Sequence, residues 1–308
     1  MDRNEKMKGI YTALITPFAE DKIDIKAWHK ILDFQKKNKV HGVVVGGTTG
    51  ESPTLTDEEL TLLTSVALEY QSSDFEIILG IGGNDTVRSS LKAQTILNKL
   101  KQKPDAIMSA TPYYNKPHAA GIEAHFNHLA KTIFPIPLCL YNVPGRTGVH
   151  LEPESFARII AQNSNCNTLK EASGNLQTTT DFIQVSKQFK DVNILSGDDP
   201  LFIPGLICGC QGIISVSSNM IPHILRAVWD AFESKDFDKL NHFHLSLFKF
   251  HQVLFCEPNP IPVKWLMEKQ GLCHAEYRLP LMTLDTSLHS KVMNAWQEVQ
   301  NIGISSIP

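Results

Sequence analysis

Short apolar runs alternate with longer amphipathic ones along most of this 308-residue chain. The short runs cover residues 10–16, 42–46, 76–81, 106–110, 137–141, 168–170, 193–195 and 212–216. Each predicts a strand, because a brief and nearly continuous apolar stretch suits a strand buried on both faces. The intervening segments carry helical spacing. In 56–70, Asp57, Glu58 and Glu59 fall in the first turn, where the helix dipole favours negative charge. In 86–100, Leu91, Thr95 and Leu100 recur near helical spacing and predict its inward stripe. Eight strands each followed by a helix predict a closed (β/α)8 TIM barrel, since closure removes exposed edges and covers both faces of the sheet.

Beyond residue 234 the strand pattern stops. The division predicted is a barrel catalytic domain over 1–234 and a C-terminal helical extension over 235–308. In the last helix Leu288, Val292, Trp296 and Val299 make one apolar stripe. Pro258, Pro260 and Pro262 predict an extended segment before a helix starting near Val263. No Gly/Ser-rich linker separates the two parts, so the tail is expected to dock on the barrel or on another subunit.

Composition narrows the function. With 42% hydrophobic and 20% charged residues and a net charge of −3, the chain reads as a globular protein with no electrostatic footprint for nucleic acid. The mixed-charge start, Met1 to Lys6, leads into no apolar stretch suited to a signal peptide or membrane span. A cytoplasmic location is expected. The six cysteines, Cys139, Cys166, Cys208, Cys210, Cys256 and Cys273, are read as free thiols. Cys208-Gly-Cys210 lacks the spacing of a zinc knuckle, and the twelve histidines show no His-Glu-x-x-His pattern, so no metal is expected.

Candidate chemistry collects where barrels of this type build their sites, at the carboxyl ends of the strands. Lys170 ends the sixth run. An amine at the rim of an apolar interior has its charged form disfavoured, which frees a nucleophile able to condense with a ketone; alone, it also fits a surface lysine opening a loop. The second run ends in Gly46-Gly47-Thr48-Thr49-Gly50-Glu51-Ser52, whose amides and hydroxyls suit a carboxylate or, equally, a capped glycine turn. Tyr114, Tyr141 and Thr48 fit a proton relay or ordinary core tyrosines with wet hydroxyls. Arg146 reads as a surface residue or as a planar fork for a carboxylate. Asp198 and Asp199 fit helix capping better than a metal pair. They would also repel a phosphate, which disfavours a sugar-phosphate barrel.

Taken in order, several runs resemble the dihydrodipicolinate synthase and N-acetylneuraminate lyase family of class I aldolases across nearly the whole chain. They are residues 46–52, Tyr113-Tyr114, Tyr141-Asn142-Val143-Pro144-Gly145-Arg146-Thr147-Gly148, Lys170-Glu171-Ala172, Ser196-Gly197-Asp198-Asp199, Gly212-Ile213-Ile214-Ser215, Asn259-Pro260-Ile261-Pro262-Val263-Lys264 and Arg278-Leu279-Pro280-Leu281. Arg146 resembles the synthase branch rather than the sugar-acid lyases. The resemblance implies a Schiff base between pyruvate and Lys170, with Thr49 on its carboxylate and Tyr141, Thr48 and Tyr114 moving protons. It also implies that Arg146 orients aspartate semialdehyde, that Gly197 and Ile214 line the pocket, and that 4-hydroxy-tetrahydrodipicolinate forms in diaminopimelate and lysine biosynthesis.

No cofactor is implied. Tyr114 is expected to reach a neighbouring subunit's site, which implies a homo-oligomer, as a rule a tetramer of two tight dimers. Ser52, Asn84 and Tyr113 match the family's lysine effector site, but Leu60 replaces a common histidine and Arg88 a glutamate. The exchange of a carboxylate for a guanidinium turns attraction into repulsion of about 1 to 4 kcal/mol at close range. Weak or absent lysine inhibition is therefore expected. The competing expectations are another pyruvate-dependent aldolase and a silent carboxylate-binding barrel.

Overall fold

In a computed structural model that describes residues 7–302, eight parallel strands close into a barrel in which each strand pairs with the next and the first pairs with the last. They are β1 (Gly9–Ala13), β2 (Gly42–Val45), β3 (Glu76–Gly80), β4 (Ala106–Ala110), β5 (Leu138–Asn142), β6 (Cys166–Glu171), β7 (Asn193–Ser196) and β8 (Gly212–Ser215). The eight runs expected from the pattern match these strands within one to three residues at each end. The outer helices are α1 (Ile25–Lys37), α2 (Asp57–Leu68), α3 (Thr86–Lys99), α4 (Ala119–Ile133), α5 (Pro153–Gln162), α6 (Leu176–Ser186), α7 (Phe202–Cys208) and α8 (Pro222–Glu233). The Met1 to Lys6 segment lies outside the described residues. No helix among the described residues is long and apolar enough to cross a membrane.

Alternation along each strand sorts the barrel into two apolar clusters. Ile10, Val43, Ile77, Ile107, Leu140, Leu169, Ile194 and Ile213 join the layer between sheet and helices. Tyr11, Val44, Ile78, Met108, Cys139, Tyr141, Leu195 and Ile214 fill the interior. Burying each such aliphatic side chain contributes about 1.5 to 3 kcal/mol, so both faces of every strand are committed and a register slip would expose one set.

Helix α2 starts as its acidic first turn indicates, with Thr56 and Glu59 forming a reciprocal capping box. Of the expected α3 positions only Leu100 is buried. Leu91 and Thr95 face solvent, while Ser89, Ser90, Ala93, Ile96 and Leu97 are buried. Two serines take inward positions because their hydroxyls find partners, Ser89 Oγ donating to the Asp85 carbonyl at 2.7 Å and Ser90 Oγ accepting from the Thr132 hydroxyl at 3.4 Å.

A hairpin of Phe18–Ala19 and Lys22–Ile23 is an element the sequence pattern did not reveal. Its turn residues Glu20 and Asp21 both have positive φ (51° and 60°), a conformation for which Asn-Gly is the usual signal. Here the Glu276 carboxylate accepts the Glu20 amide at 3.0 Å and secures the turn.

The extension consists of α9 (Phe237–Val253), α10 (Ile261–Lys269) and α11 (His289–Gln300). It docks on the barrel: Phe243, Leu247, Phe250, Val292, Trp296 and Val299 belong to the same apolar cluster as the sheet's outer face. Residues 258–262 correct an expectation. Asn259 and Pro260 form a turn closed by the Ile261 amide on the Pro258 carbonyl at 2.9 Å, and Pro262 lies inside the first turn of α10 rather than in an extended segment. A proline there forfeits no hydrogen bond, because the first helical amides have no partner within the helix.

Candidate active site

At the carboxyl end of the barrel, β5 and β6 pair so that Tyr141 lies opposite Lys170 and Asn142 opposite Glu171. Leu140 and Leu169 face the helices, so alternation sends Tyr141 and Lys170 inward. Lys170 is only 5% exposed, and its Nζ lies 4.4 Å from the centroid of the Tyr141 ring. The amine therefore rests on an aromatic face inside the barrel. Cys139 is close by, but burial pushes its thiol up to about 12, with Lys170 acting in the opposite direction. A protonated thiol leaves the amine as the local nucleophile.

Asn142 and Glu171 face outward and fasten the two strands together. The Asn142 amide donates to Glu171 Oε2 at 2.7 Å, its Oδ1 accepts the Leu151 amide at 3.0 Å, and Glu171 Oε1 accepts the Ser173 amide at 2.6 Å. Sequence reasoning read Glu171 only as part of a motif and gave Asn142 no role. A polar residue next to a catalytic candidate on a doubly buried strand is the signal that would have found them.

Gly197 follows β7 against this lysine. A Cβ there would lie 2.6 Å from Ala172 Cβ and 2.8 Å from Lys170 Cε, so the position has room for hydrogen only. Ile214, on β8, belongs to the interior cluster.

Thr48 and Thr49 lie in the loop after β2, which folds back through bonds from the Gly50 and Ser52 amides to the Gly47 carbonyl. Thr49 is buried, and its hydroxyl accepts from the Asn259 amide at 3.0 Å. A cavity of about 210 Å³ opens beside this loop. It is lined by Thr48, Ser52, Met108, Tyr113, Tyr141 and Arg146 among others. Arg146 sits in a single helical turn, Pro144–Thr147, with its guanidinium 3.5 Å from the Asn259 carbonyl. The cavity thus holds hydroxyls, phenols and a guanidinium, and Lys170, which does not itself line it, adjoins it through the Tyr141 ring. That set can bind an oxo-acid, form an imine and shuttle a proton.

Tyr114 is not brought to this cavity within the chain. It is 87% exposed with φ +69°, so the relay expected of Thr48, Tyr114 and Tyr141 does not close in one copy. Of the expected effector residues, Ser52 and Tyr113 line the cavity, whereas Asn84 and Arg88 do not. The Asn84 carbonyl is held by the Asn115 side chain at 3.1 Å, and Arg88 is exposed in the first turn of α3. Leu60 is wholly buried beneath Gly46.

The environment of Asp199 differs from the capping role its sequence position suggests. Its carboxylate is buried and accepts the Val216 amide at 2.9 Å and the Ser217 hydroxyl at 2.7 Å. Asp198 does accept the Leu201 amide, at 3.2 Å. All six cysteines are free, and no group of metal-ligating side chains occurs among the described residues.

The chain is similar to known proteins along nearly its whole length. Residues 6–299 match a family model described as the Dihydrodipicolinate synthetase family. The 4-hydroxy-tetrahydrodipicolinate synthase of Sulfurihydrogenibium sp. is 39% identical over 287 residues, covering 92% of this chain and 95% of that one. The enzyme of the same name from Methanococcus vannielii is 35% identical over 289 residues, covering 94% and 97%. Among solved structures, a monomeric dihydrodipicolinate synthase variant superposes with a TM-score of 0.93 at 31% identity, covering 97% of this chain and 99% of that one.

Proposed function

This chain belongs to the dihydrodipicolinate synthetase family, and from that premise we propose that it condenses pyruvate with L-aspartate 4-semialdehyde to give 4-hydroxy-tetrahydrodipicolinate, as a lyase of diaminopimelate and lysine biosynthesis. The observation that carries the reading is the buried Lys170 amine over the Tyr141 ring at the mouth of the barrel. Lys170 adds to the ketone of pyruvate and expels water, giving a protonated imine. This imine is an electron sink, so a methyl proton leaves and an enamine forms without any metal or organic cofactor. The enamine attacks the aldehyde carbon, whose oxygen takes up a proton. The substrate's own amine then displaces Lys170, closing the ring and freeing the enzyme.

Tyr141 moves the protons, with Thr48 and a Tyr114 supplied across an interface. Thr49 and its loop take the pyruvate carboxylate. Arg146 takes the carboxylate of the second substrate, and Gly197 and Ile214 bound the imine. Residues 1–234 act as the catalytic barrel and 235–308 as a docked helical extension. The working form is a cytoplasmic homo-oligomer, a tetramer of two dimers, and Ser52, Asn84, Arg88 and Tyr113 are a degenerate effector site.

Borohydride reduction in the presence of pyruvate, followed by peptide mapping, tests the reading. A single reduced pyruvate adduct on Lys170 is expected, together with loss of condensation in Lys170→Ala. An unmodified protein, an adduct on a different lysine, or cleavage of N-acetylneuraminate in place of condensation would overturn it.

A further inference from the structure

Two runs of the extension take no part in the reaction just described, yet their polar groups converge on one barrel loop. Asn259 donates to Thr49. Lys264 forms an ion pair with Glu51, and both side chains are 0% exposed. The backbone amide of Arg278 donates to the other Glu51 oxygen at 3.2 Å, and its guanidinium donates to the Thr54 carbonyl at 2.9 Å. Lys264 is held in turn by the Glu276 carbonyl at 2.9 Å and lies 4.5 Å from the Phe18 ring centroid. Burial pulls its pKa below the ordinary lysine value, Glu51 opposing that shift.

The held loop closes its own turn through the Gly47 and Thr48 carbonyls and is tied by the Thr16 hydroxyl at the Gly50 carbonyl, at 2.7 Å. Gly46, Gly47 and Gly50 offer no side chain to pack, and Glu51 adopts a left-handed conformation (φ 54°) that is costly for a residue with a Cβ. Such a conformation persists only where its surroundings over-determine it. A buried ion pair is also a poor source of net stability, since apolar residues of similar volume often serve as well, whereas it fixes direction and distance. Glu51 is two residues from Thr49, so the pair's geometry passes directly to the threonine pair.

We propose that Lys264 is a positioning residue for the keto-acid substrate: through Glu51 it holds the Thr48–Thr49 loop in the conformation that receives the substrate carboxylate. The inference rests on the assignment of that loop to pyruvate. It places a determinant of first-substrate recognition in the helical extension, away from the reacting atoms.

The test compares Lys264→Met, Lys264→Arg and the neutral pair Glu51→Gln/Lys264→Met in the full-length enzyme. Each is assayed for KM of pyruvate, KM of aspartate semialdehyde, kcat, and the pyruvate concentration giving half-maximal borohydride trapping. Pyruvate KM and half-trapping concentration are expected to rise together by about 10- to 100-fold, with kcat at saturation and the semialdehyde KM within about twofold, because the misplaced group binds but does not react. The neutral pair leaves no lone buried charge, so it separates loss of fold from loss of positioning. A folded neutral pair with unchanged pyruvate KM would overturn the inference, as would an equal loss in every parameter. Failure of all three variants to fold would overturn it too, because the pair would then serve the fold. Should the unaltered enzyme not be trapped by pyruvate at all, the reaction assignment fails. Trapping with unchanged half-saturation in the variants sinks only the role of Lys264.

Discussion

Gly197→Ala is the sharpest probe of how tightly the barrel mouth holds its lysine. The added methyl would sit 2.6 Å from Ala172 Cβ and 2.8 Å from Lys170 Cε. Ordinary carbon–carbon contact is reached near 3.5 Å, so the methyl overlaps its two neighbours by about 0.9 and about 0.7 Å. Neither can withdraw freely. Ala172 is anchored by its amide to the Asn142 carbonyl at 2.9 Å, the Gly197 amide is bonded to the Glu171 carbonyl at 2.6 Å, and the lysine chain lies against the Tyr141 ring. Overpacking of this kind costs about 1 to 3 kcal/mol, which lowers the Tm of a domain this size by about 2 to 6 °C. The catalytic loss should be of similar size in free energy. A displacement of the nucleophile by a large fraction of an ångström costs up to about 100-fold in rate, or about 2.7 kcal/mol of barrier. Steady-state kcat/KM and the rate of borohydride trapping with pyruvate are the assays, with Gly145→Ala, where nothing lies within 4 Å, as the comparison for an added methyl. If Gly197→Ala traps pyruvate at the unaltered rate and melts at the same temperature, the lysine is not confined as described.

Two further outcomes follow from the same coordinates. Arg146 is exposed, so Arg146→Ala should change stability by no more than about 0.5 kcal/mol while raising the KM of aspartate semialdehyde about 10- to 100-fold and leaving pyruvate trapping intact. A shift in the pyruvate half-saturation instead would reassign the guanidinium. Burial, aided by His128 and opposed by Asp85, lowers His125 to about 4. The unfolded chain then takes up a proton that the folded chain refuses, so stability is full above about pH 6.5 and declines as pH falls towards 4. The loss reaches about 3 kcal/mol for this one residue. Burial lowers His41 to about 4 as well, so the fall in urea midpoint from pH 7 to pH 4.5 should shrink but not vanish in His125→Gln, and an unchanged pH slope in that variant would refute the assignment.

The barrel was legible because its strands are continuous apolar runs, and so was Lys170, because a lysine ending such a run conflicts with its surroundings. Facing was harder to read. Where both sides of a strand are buried, the usual alternation of polar and apolar residues is erased, and Tyr141 and Asn142 look equally able to enter the barrel. Only the partition of Leu140 and Leu169 to the outer layer decides between them. The α3 stripe failed for a related reason: apolar Leu91 lies on the open face while Ser89 and Ser90 take the inward one. The grip of Lys264 on Glu51 spans 213 positions of sequence and is carried by two charges whose spacing along the chain holds no signal.

Backbone strain around the cavity points to what completes it. Glu51 and Tyr114 both hold positive φ, and each such conformation costs of order 1 to 3 kcal/mol unless its surroundings enforce it. For Glu51 the enforcing contacts lie within the chain, in Lys264 and Arg278. For Tyr114 the turn is held locally by Asn115, whose amide donates to the Tyr113 carbonyl at 2.8 Å and whose side chain reaches Asn84 at the start of α3. The ring itself projects into solvent, and Val87 and Leu91 on that helix are exposed as well. An exposed phenol and two exposed aliphatic side chains are a costly way to finish a monomer's surface and an economical way to start an interface. An oligomer of the kind proposed above would bury the ring and would bring a tyrosine hydroxyl to a cavity that already holds Thr48 and Tyr141. Tyr114→Phe is therefore expected to lower condensation while leaving the stability of a single copy unchanged, and an unaltered rate would remove Tyr114 from the relay.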